Sequence, residues 1–540
     1  MTRIESRPIV AVGLSLAILG HVGCARTVET AELGAAGDAS RRVAAPGHPE
    51  GEAAPPADAG LFADWPGLKA ALVITGEMDG YLDPCGCTDG QLGGLGRRYD
   101  LLERMQGQKI PSARIDLGSL TKDPAGERGG NVQAKLKFET ALKALTAMKY
   151  DALALSPEDL KHGIAETLST YLNQKDAVRV VSANVAPAGA SKEAFAGTIR
   201  ESVVAEAGPY KVGITAVLDP GWYDRLKDPD REILEVRPPE TVLPAVLKAL
   251  EASTDVQVLM VQGPPELAST LGEAFPGFDV VVSTSPFADP EGKTKPLNGG
   301  ATQVVTVGQK GKYVGVIGLF DAAKGKAPEA RYQKVSLIGG RFRNAEPMRA
   351  LIDEQMQSQL KALGVVENYV RHANVEAPPG ASYVGAEGCK SCHPNTFAKW
   401  AGTKHARAYE VLAHNPTDPR RNREFDAECI SCHTTGFTYN TGWVSAEKTP
   451  YLKGNQCENC HGPGSKHVEQ PDNKEFTRFL ARTAEAADKG GLCLKCHDED
   501  NSRNFNFGVY YGKIVHKGMD RYDDPAVHVG KAPGASRASK

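Results

Sequence analysis

At 540 residues the chain is too long for one hydrophobic core, and its length asks for about two to four domains. With 41% hydrophobic and 24% charged residues it has the make-up of a globular protein rather than a disordered one. A net charge of −3 excludes the strongly basic surface that nucleic acid or an anionic membrane would require, so neither is expected as a partner.

The first element is an export signal. Arg3 and Arg7 precede an apolar run over 8–20, which is too short to span a bilayer but the right length for a signal-peptide core. The run ends in Leu19-Gly20-His21-Val22-Gly23-Cys24, which resembles a bacterial lipoprotein signal with Cys24 as the acylated residue. His21 departs from the apolar residue usual there, and ordinary cleavage nearby with release into the periplasm is the alternative. The expected location is therefore periplasmic or at the outer cell surface, with membrane contact only through a lipid on Cys24.

Residues 25–65 are small and polar without periodic apolar positions and predict a disordered linker. From 66 to 343 short apolar runs alternate with amphipathic stretches. Strands are expected at 70–74, 152–155, 178–182, 211–217, 256–261 and 279–282, with helices at 133–148, 157–172, 239–250 and 266–275. That alternation predicts a layered α/β domain, closed by an antiparallel pair at 302–307 and 313–319. Residues 344–380 read as a helix and linker, 381–522 as a mostly α-helical domain, and 523–540 as a disordered tail. The chain is thus multidomain, and 381–540 is not a basic patch.

The 11 cysteines carry the chemistry. Eight of them form four Cys-x-x-Cys-His units: Cys389, Cys392 and His393; Cys429, Cys432 and His433; Cys457, Cys460 and His461; Cys493, Cys496 and His497. Two thiols about one helical turn apart match the two vinyl groups of a haem, and the adjacent His turns its imidazole onto the iron. Chance would place roughly 0.005 such motifs in this composition. Zinc sites do not habitually follow each Cys pair with His, and disulfides would leave the histidines unexplained. Four covalent c-type haems are therefore expected, with the four histidines as proximal ligands.

His405, His467 and His516 are the candidate distal ligands, with His372, His414 and His528 as spares. A helix over 397–409 would separate His393 from His405 by about 18 Å, so His405 should cap a different haem. Glu387-Gly388-Cys389-Lys390-Ser391-Cys392-His393-Pro394, Lys404-His405-Ala406, Glu428–Gly436 (Glu-Cys-Ile-Ser-Cys-His-Thr-Thr-Gly) and Gln456–Gly464 (Gln-Cys-Glu-Asn-Cys-His-Gly-Pro-Gly) together resemble the tetrahaem cytochrome c-554 family. The resemblance spans 383–516. It implies a compact, mostly helical domain with closely stacked haems, with His405, His467 and His516 as distal ligands. One haem of that family can lack a strong sixth ligand.

Thr75-Gly76-Glu77-Met78-Asp79-Gly80 and Leu92-Gly93-Gly94-Leu95-Gly96-Arg97-Arg98 resemble the opening of the 5′-nucleotidase branch of the calcineurin-like metallophosphoesterases. That resemblance implies an αββα sandwich over 72–319. Its metal ligands do not carry over. The first loop offers Glu77 and Asp79 in place of Asp and His, the next ligand position falls on Ser119, and the Asn-His segment becomes Ser156-Pro157-Glu158-Asp159. The later histidine positions fall on Gln262, Ser285 and Phe287, while His162 looks like a helix-surface residue. Glu77, Asp79, Asp116 and Glu158 could still hold a hard cation, as an additional metal in the N-terminal domain. Cys85 and Cys87, too close for an unstrained disulfide of usual geometry, form either a soft-metal or redox pair, or a strained disulfide or passive thiol site.

The function expected is extracytoplasmic electron transfer, with redox proteins docking at an exposed haem edge and a catalytically degenerate hydrolase domain attached. The competing readings are three. One is a multihaem oxidoreductase acting on a small nitrogen or sulfur species at an open haem, another an active phosphoesterase fused to a cytochrome, and the third a docking scaffold.

Overall fold

The computed structural model describes residues 61–84, 91–174, 178–226, 231–321, 328–413, 422–498, 501–502 and 504–520. The chain divides into two units, and the first, Met1–Ala53, lies outside the described residues. So do Cys24, Cys85, Cys87, His414 and His528, together with the tail.

Two sheets form the N-terminal architecture. A seven-stranded sheet runs Ala330–Ser336, Tyr313–Leu319, Ala70–Thr75, Ser112–Asp116, Ala152–Ala154, Arg179–Val181 and Ile199–Arg200 from edge to edge. A six-stranded sheet runs Lys295–Leu297, Thr302–Thr306, Val280–Ser283, Val256–Gln262, Tyr210–Leu218 and Ser202–Ala207. Both have a parallel centre; the six-stranded sheet is antiparallel at both edges, whereas the seven-stranded sheet is antiparallel on the Ala330–Ser336 side and stays parallel out to Ile199–Arg200.

The period of two explains why the sheets stack. Ala70, Leu72 and Ile74 face Val256, Val258 and Met260 across a shared core. The alternate residues Ala71 and Val73 turn outward to Leu101, Phe138, Ala141 and Leu145 of helices Leu95–Gly107 and Gly130–Ala147. Leu259 and Val261 likewise meet Leu243, Val246 and Leu271 of helices Pro239–Glu251 and Pro265–Ala274. The result is a helix–sheet–sheet–helix sandwich, as the resemblance implied. Each large aliphatic side chain so buried contributes about 1.5–3 kcal/mol.

Three expectations need correction. Thr302–Thr306 and Tyr313–Leu319 do not pair with each other: the first lies parallel to Val280–Ser283, and the second runs antiparallel to Ala70–Thr75 in the other sheet. The helix expected over 157–172 is two pieces, Pro157–Leu160 and Ile164–Asn173, broken at Gly163 with φ 102°. Leu61, Phe62 and Trp65, read as linker, are buried in the helix-side core.

Residues Glu346–Ala362 form one continuous helical path with a π turn at Asp353–Gln357. Met348, Ile352, Met356 and Leu360 pack into the same core as helix Gly130–Ala147, so this segment is part of the α/β layer rather than a free connector. Beyond it the texture changes. Helices of five to eight residues follow one another, and their shared core is small: Val366, Tyr383, Tyr409, Leu412, Ala427, Ile430, Phe437, Trp443 and Leu452.

Candidate haem sites

Each Cys-x-x-Cys-His unit starts on a short helix or a 3₁₀ turn. The units lie on Ala386–Lys390, Ala427–His433, Cys457–His461 and Cys493–Lys495. Glu458, inside the third motif, explains how the first is placed. Its carboxylate accepts from the backbone N–H of Val384 (3.0 Å), Gly385 (2.7 Å) and Gly464 (2.7 Å), and Gln456 Oε1 accepts from Ala386 N. The chain entering the first motif is therefore tied to the third, and the Cys389 and Cys457 thiols are near enough to perturb each other. Cys432 and Cys496 are similarly close, and Cys460 is near enough to Cys493 to feel its charge. In space the motifs thus follow the order first, third, fourth, second. All eight cysteines are free of disulfides, and only Cys392 is exposed.

The histidines pair across motifs. The rings of His405 and His497 lie 6.0 Å apart between centroids, and those of His461 and His516 5.7 Å. Two metal–nitrogen bonds of about 2 Å plus the ring radii call for a separation of about 6 Å, so both pairs fit an iron held between two imidazoles. His405 does not sit mid-helix as expected. It occupies the turn between helices Pro394–Ala401 and Ala408–Ala413, where Asn455 N–H donates to its carbonyl (3.0 Å). The 18 Å separation assumed for a continuous helix therefore does not apply, yet His405 does face a motif other than its own.

Hydrogen bonds to the far ring nitrogen fix tautomers. His433 Nδ1 meets Ala408 O at 2.6 Å, His461 Nδ1 meets Leu480 O at 2.6 Å, and His516 Nδ1 meets Ile514 O at 3.0 Å. A carbonyl can only accept, so Nδ1 carries the proton and Nε2 keeps its lone pair for a metal. His467 is half-buried on helix Ser465–Glu469, which is tied to Ser382 by a hydrogen bond in each direction. His393 begins helix Pro394–Ala401, whose free N–H groups at Asn395 and Thr396 donate to the Asp520 carboxylate. His372 packs its ring on Tyr439, 5.1 Å away, and joins none of the motifs.

The α/β domain makes a contact that is not apparent from the sequence. Gln133 brackets the start of helix Ala427–His433: its amide donates to Asp426 Oδ1 (2.9 Å) and its oxygen accepts from Ala427 N (3.1 Å). Glu428 takes Lys137 (2.6 Å) and Lys122 (2.7 Å), and Lys137 also pairs with Glu127. Burial pushes the Glu428 carboxyl up, but the two lysines outweigh it and hold it down at about 2. Arg423 is held by Asp83 and by Asp353 of the π turn, at 2.8 and 2.9 Å. The available signal was Lys137, a charge in line with Phe138, Ala141 and Leu142 on the buried side of its helix.

The loop after the first strand is tight. Glu77, Asp79 and Ser119 adopt left-handed φ values of 46°, 53° and 56°, a conformation that costs about 1–3 kcal/mol per residue. Gly118 has φ 93°, and a Cβ there would lie 2.6 Å from Ala154 O. Burial pushes Glu77 up to about 8 and Asp79 up to about 7. The four carboxylates proposed for a hard cation do not converge, because Asp116 is committed to Thr75 Oγ1 (2.6 Å), Gly118 N (2.9 Å) and the buried Arg98 (3.4 Å). Among the described residues no three His, Cys, Asp or Glu side chains are grouped so as to hold a metal ion. Ser119 and Ser156 bond to each other at 2.9 Å, Gln262 donates to Leu117 O, and Ser285 N donates to Glu77 (3.2 Å). His162 is half-buried rather than on the surface, bonded to Thr121 Oγ1 at 2.6 Å and stacked on Phe138.

Comparison with known proteins finds relatives of the C-terminal part. Residues 388–462 match the model described as "Cytochrome c554 and c-prime". Cytochrome c-554 of Nitrosomonas europaea is 36% identical over 127 residues, 22% of this chain and 53% of that protein. The multihaem cytochrome MtrA of Shewanella baltica is 29% identical over 84 residues, 14% of this chain and 25% of that protein. The chain thus spans about half or less of the length of these curated relatives. Among solved structures, the 5′-nucleotidase precursor of Thermus thermophilus aligns at TM-score 0.45 and 18% identity, over 54% of this chain and 59% of that one. The calcineurin-like phosphoesterase YfkN of Bacillus subtilis aligns at TM-score 0.43 and 18% identity, over 55% and 99%. Among the described residues no helix is long and apolar enough to cross a membrane. The C-terminal part of this chain is thus similar over residues 388–462 to the cytochrome c554 family, and it follows the α/β sandwich described above.

Proposed function

We propose that the chain is an extracytoplasmic electron-transfer protein with four covalent c-type haems, one per Cys-x-x-Cys-His motif, and with a hydrolase-derived α/β domain that no longer turns over phosphoesters. The observation that carries this reading is the crowding of four motifs into one helical cluster with histidine rings facing each other across motifs. When bound, haem supplies one-electron exchange between ferric and ferrous iron. The chain's residues do the rest. The cysteines hold each group by two thioether bonds, His393, His433, His461 and His497 face one side of it, and His405, His467 and His516 are the candidates for the other. Backbone carbonyls at Ala408, Leu480 and Ile514 keep the imidazoles oriented.

The retired-hydrolase part of the proposal is supported by Ser119, Ser156 and Gln262, whose polar atoms bond to one another or to backbone where a pair of metal ions would need charged ligands. Two assays on the purified full chain test the whole reading. A pyridine haemochrome assay should return four haems per chain, retained through acid–acetone extraction. Nucleotide and aryl-phosphate hydrolysis with Mn²⁺, Zn²⁺ or Ca²⁺ should stay at background. Two or fewer haems would overturn the first part, and metal-dependent turnover abolished by Glu77→Ala would overturn the second. Redox proteins are the proposed partners. Anchoring through Cys24 is proposed as well, and Cys24→Ser should then move the protein from the membrane to the soluble fraction. A wild-type protein already found as soluble would rule the anchor out.

A further inference from the structure

The second motif differs from the others in what touches it. Its helix, Ala427–His433, meets side chains of the α/β domain along its whole length: Gln133 at the capping residue Asp426, Lys122 and Lys137 at Glu428, and Arg128 at the far end. The Arg128 guanidinium bonds Ser431 Oγ and lies 3.5 Å from Cys432 Sγ. It reaches there from a turn built by two glycines. Gly130 has φ 65°, and a Cβ on Gly129 would strike the Gln133 side chain. Gln133 is in turn committed to Asp426 and Ala427, so side-chain bulk at Gly129 would disturb both contacts at once.

The charges along this contact are unequally matched. Lys137 and Lys122 are met by Glu127 and Glu428. Arg128 has no carboxylate within ion-pair distance among the described residues, so its charge is directed at the sulfur that anchors the haem edge. A fixed cation beside a haem favours the form with less positive charge, the ferrous one.

From this we infer that the α/β domain sets the potential of the second haem, with Arg128 as the positioning residue that raises it and the Glu428–lysine cluster as the neutral clamp that holds the helix against it. The inference rests on the proposed haem at Cys429, Cys432 and His433. It gives the α/β domain a function of its own, since the domain makes one redox site of the chain more oxidising than its ligands alone would.

The test is a spectroelectrochemical titration of the full-length protein, with haem content measured on every sample. Cys429→Ala/Cys432→Ala should lose one haem and one titrating component, which assigns that component to the second motif. In Arg128→Gln the same component should become about tenfold easier to oxidise, a fall of about 59 mV for one electron, with a smaller fall for the fourth motif, whose Cys496 lies beside Cys432, while the other two components hold still. Arg128→Lys should keep most of the wild-type potential, and Glu428→Gln, which unmasks the lysines, should move the component upward. If the double cysteine variant loses no haem, the reading of the second motif is wrong and the inference falls with it. If it loses one haem but Arg128→Gln leaves that component unmoved, the haem reading survives and the tuning role is overturned. A uniform shift of all components in Arg128→Gln would also overturn it, because that would be a change in overall charge.

Discussion

The two halves of the described structure are held together by different means. In the α/β sandwich, three large cores take alternate residues of the same strands, and the helices are 10 residues or longer at most of the packing faces. In the haem region the shared core is a single cluster of nine buried residues, and helices of five to eight residues are below the length at which a helix is stable alone. Hydrogen bonds of Glu458, Gln456, Asp520 and Asn455 do the joining there. The sandwich can be formed from its side chains, whereas so small a core in the C-terminal region calls for the groups its cysteines are proposed to attach.

That contrast is most sharply broken by removing the attachments. With all eight motif cysteines changed to Ala, the haem region should fail to fold while the α/β domain keeps its strands. Limited proteolysis should then digest past about residue 366 and spare the preceding core. A haem region that stayed protease-resistant without haem would contradict this.

The seam between the halves comes next in size. Lys137 is almost fully buried between Glu127 and Glu428, and Lys137→Met leaves two carboxylates there without their main cation. The expected loss is about 3 kcal/mol, seen as a lower denaturant midpoint for the transition that couples both halves. A change below about 0.5 kcal/mol would mean that the contact does not link them.

A smaller effect separates the sandwich from the haem region by pH. Glu77 and Asp79 are raised to about 8 and about 7 by burial, so the folded state holds their protons more tightly than the unfolded chain does. For carboxyls raised in this way, stability is intact below the unfolded value near 4.5 and declines as pH climbs toward 8. At about 1.4 kcal/mol for each pH unit between the unfolded and folded values, the decline should amount to several kcal/mol and be partly flattened by Glu77→Gln, measured by urea unfolding between pH 5 and 8.5. A wild-type stability that rises over that interval would contradict it.

How much of this could be read from the sequence follows from the same contrast. Strands with continuous apolar runs, such as Val256–Gln262 and Tyr210–Leu218, were legible because burial on both faces leaves few polar positions. Ser112–Asp116 and Ala330–Ser336 were not legible as strands, since Arg114, Arg331 and Lys334 interrupt the apolar pattern while keeping the backbone pairing. In the haem region the four Cys-x-x-Cys-His motifs were legible from spacing alone, but the partner of each histidine was not. His405 meets His497 because the chain turns at 402–407, and that turn depends on Asn455, 50 residues later. The seam was hidden for a similar reason: Gln133, Lys137 and Arg128 find their partners 293, 291 and 304 positions away.

The central claim is that motifs far apart in sequence share irons between facing histidines, and electron paramagnetic resonance of the oxidised full-length protein tests it most directly. The wild-type spectrum should contain low-spin signals from bis-histidine haems. In His405→Ala one of these should be replaced by a high-spin signal with the haem content unchanged, because the thioether bonds at Cys493 and Cys496 remain. A wild-type spectrum without low-spin signals, or an unchanged spectrum in His405→Ala, would contradict the account.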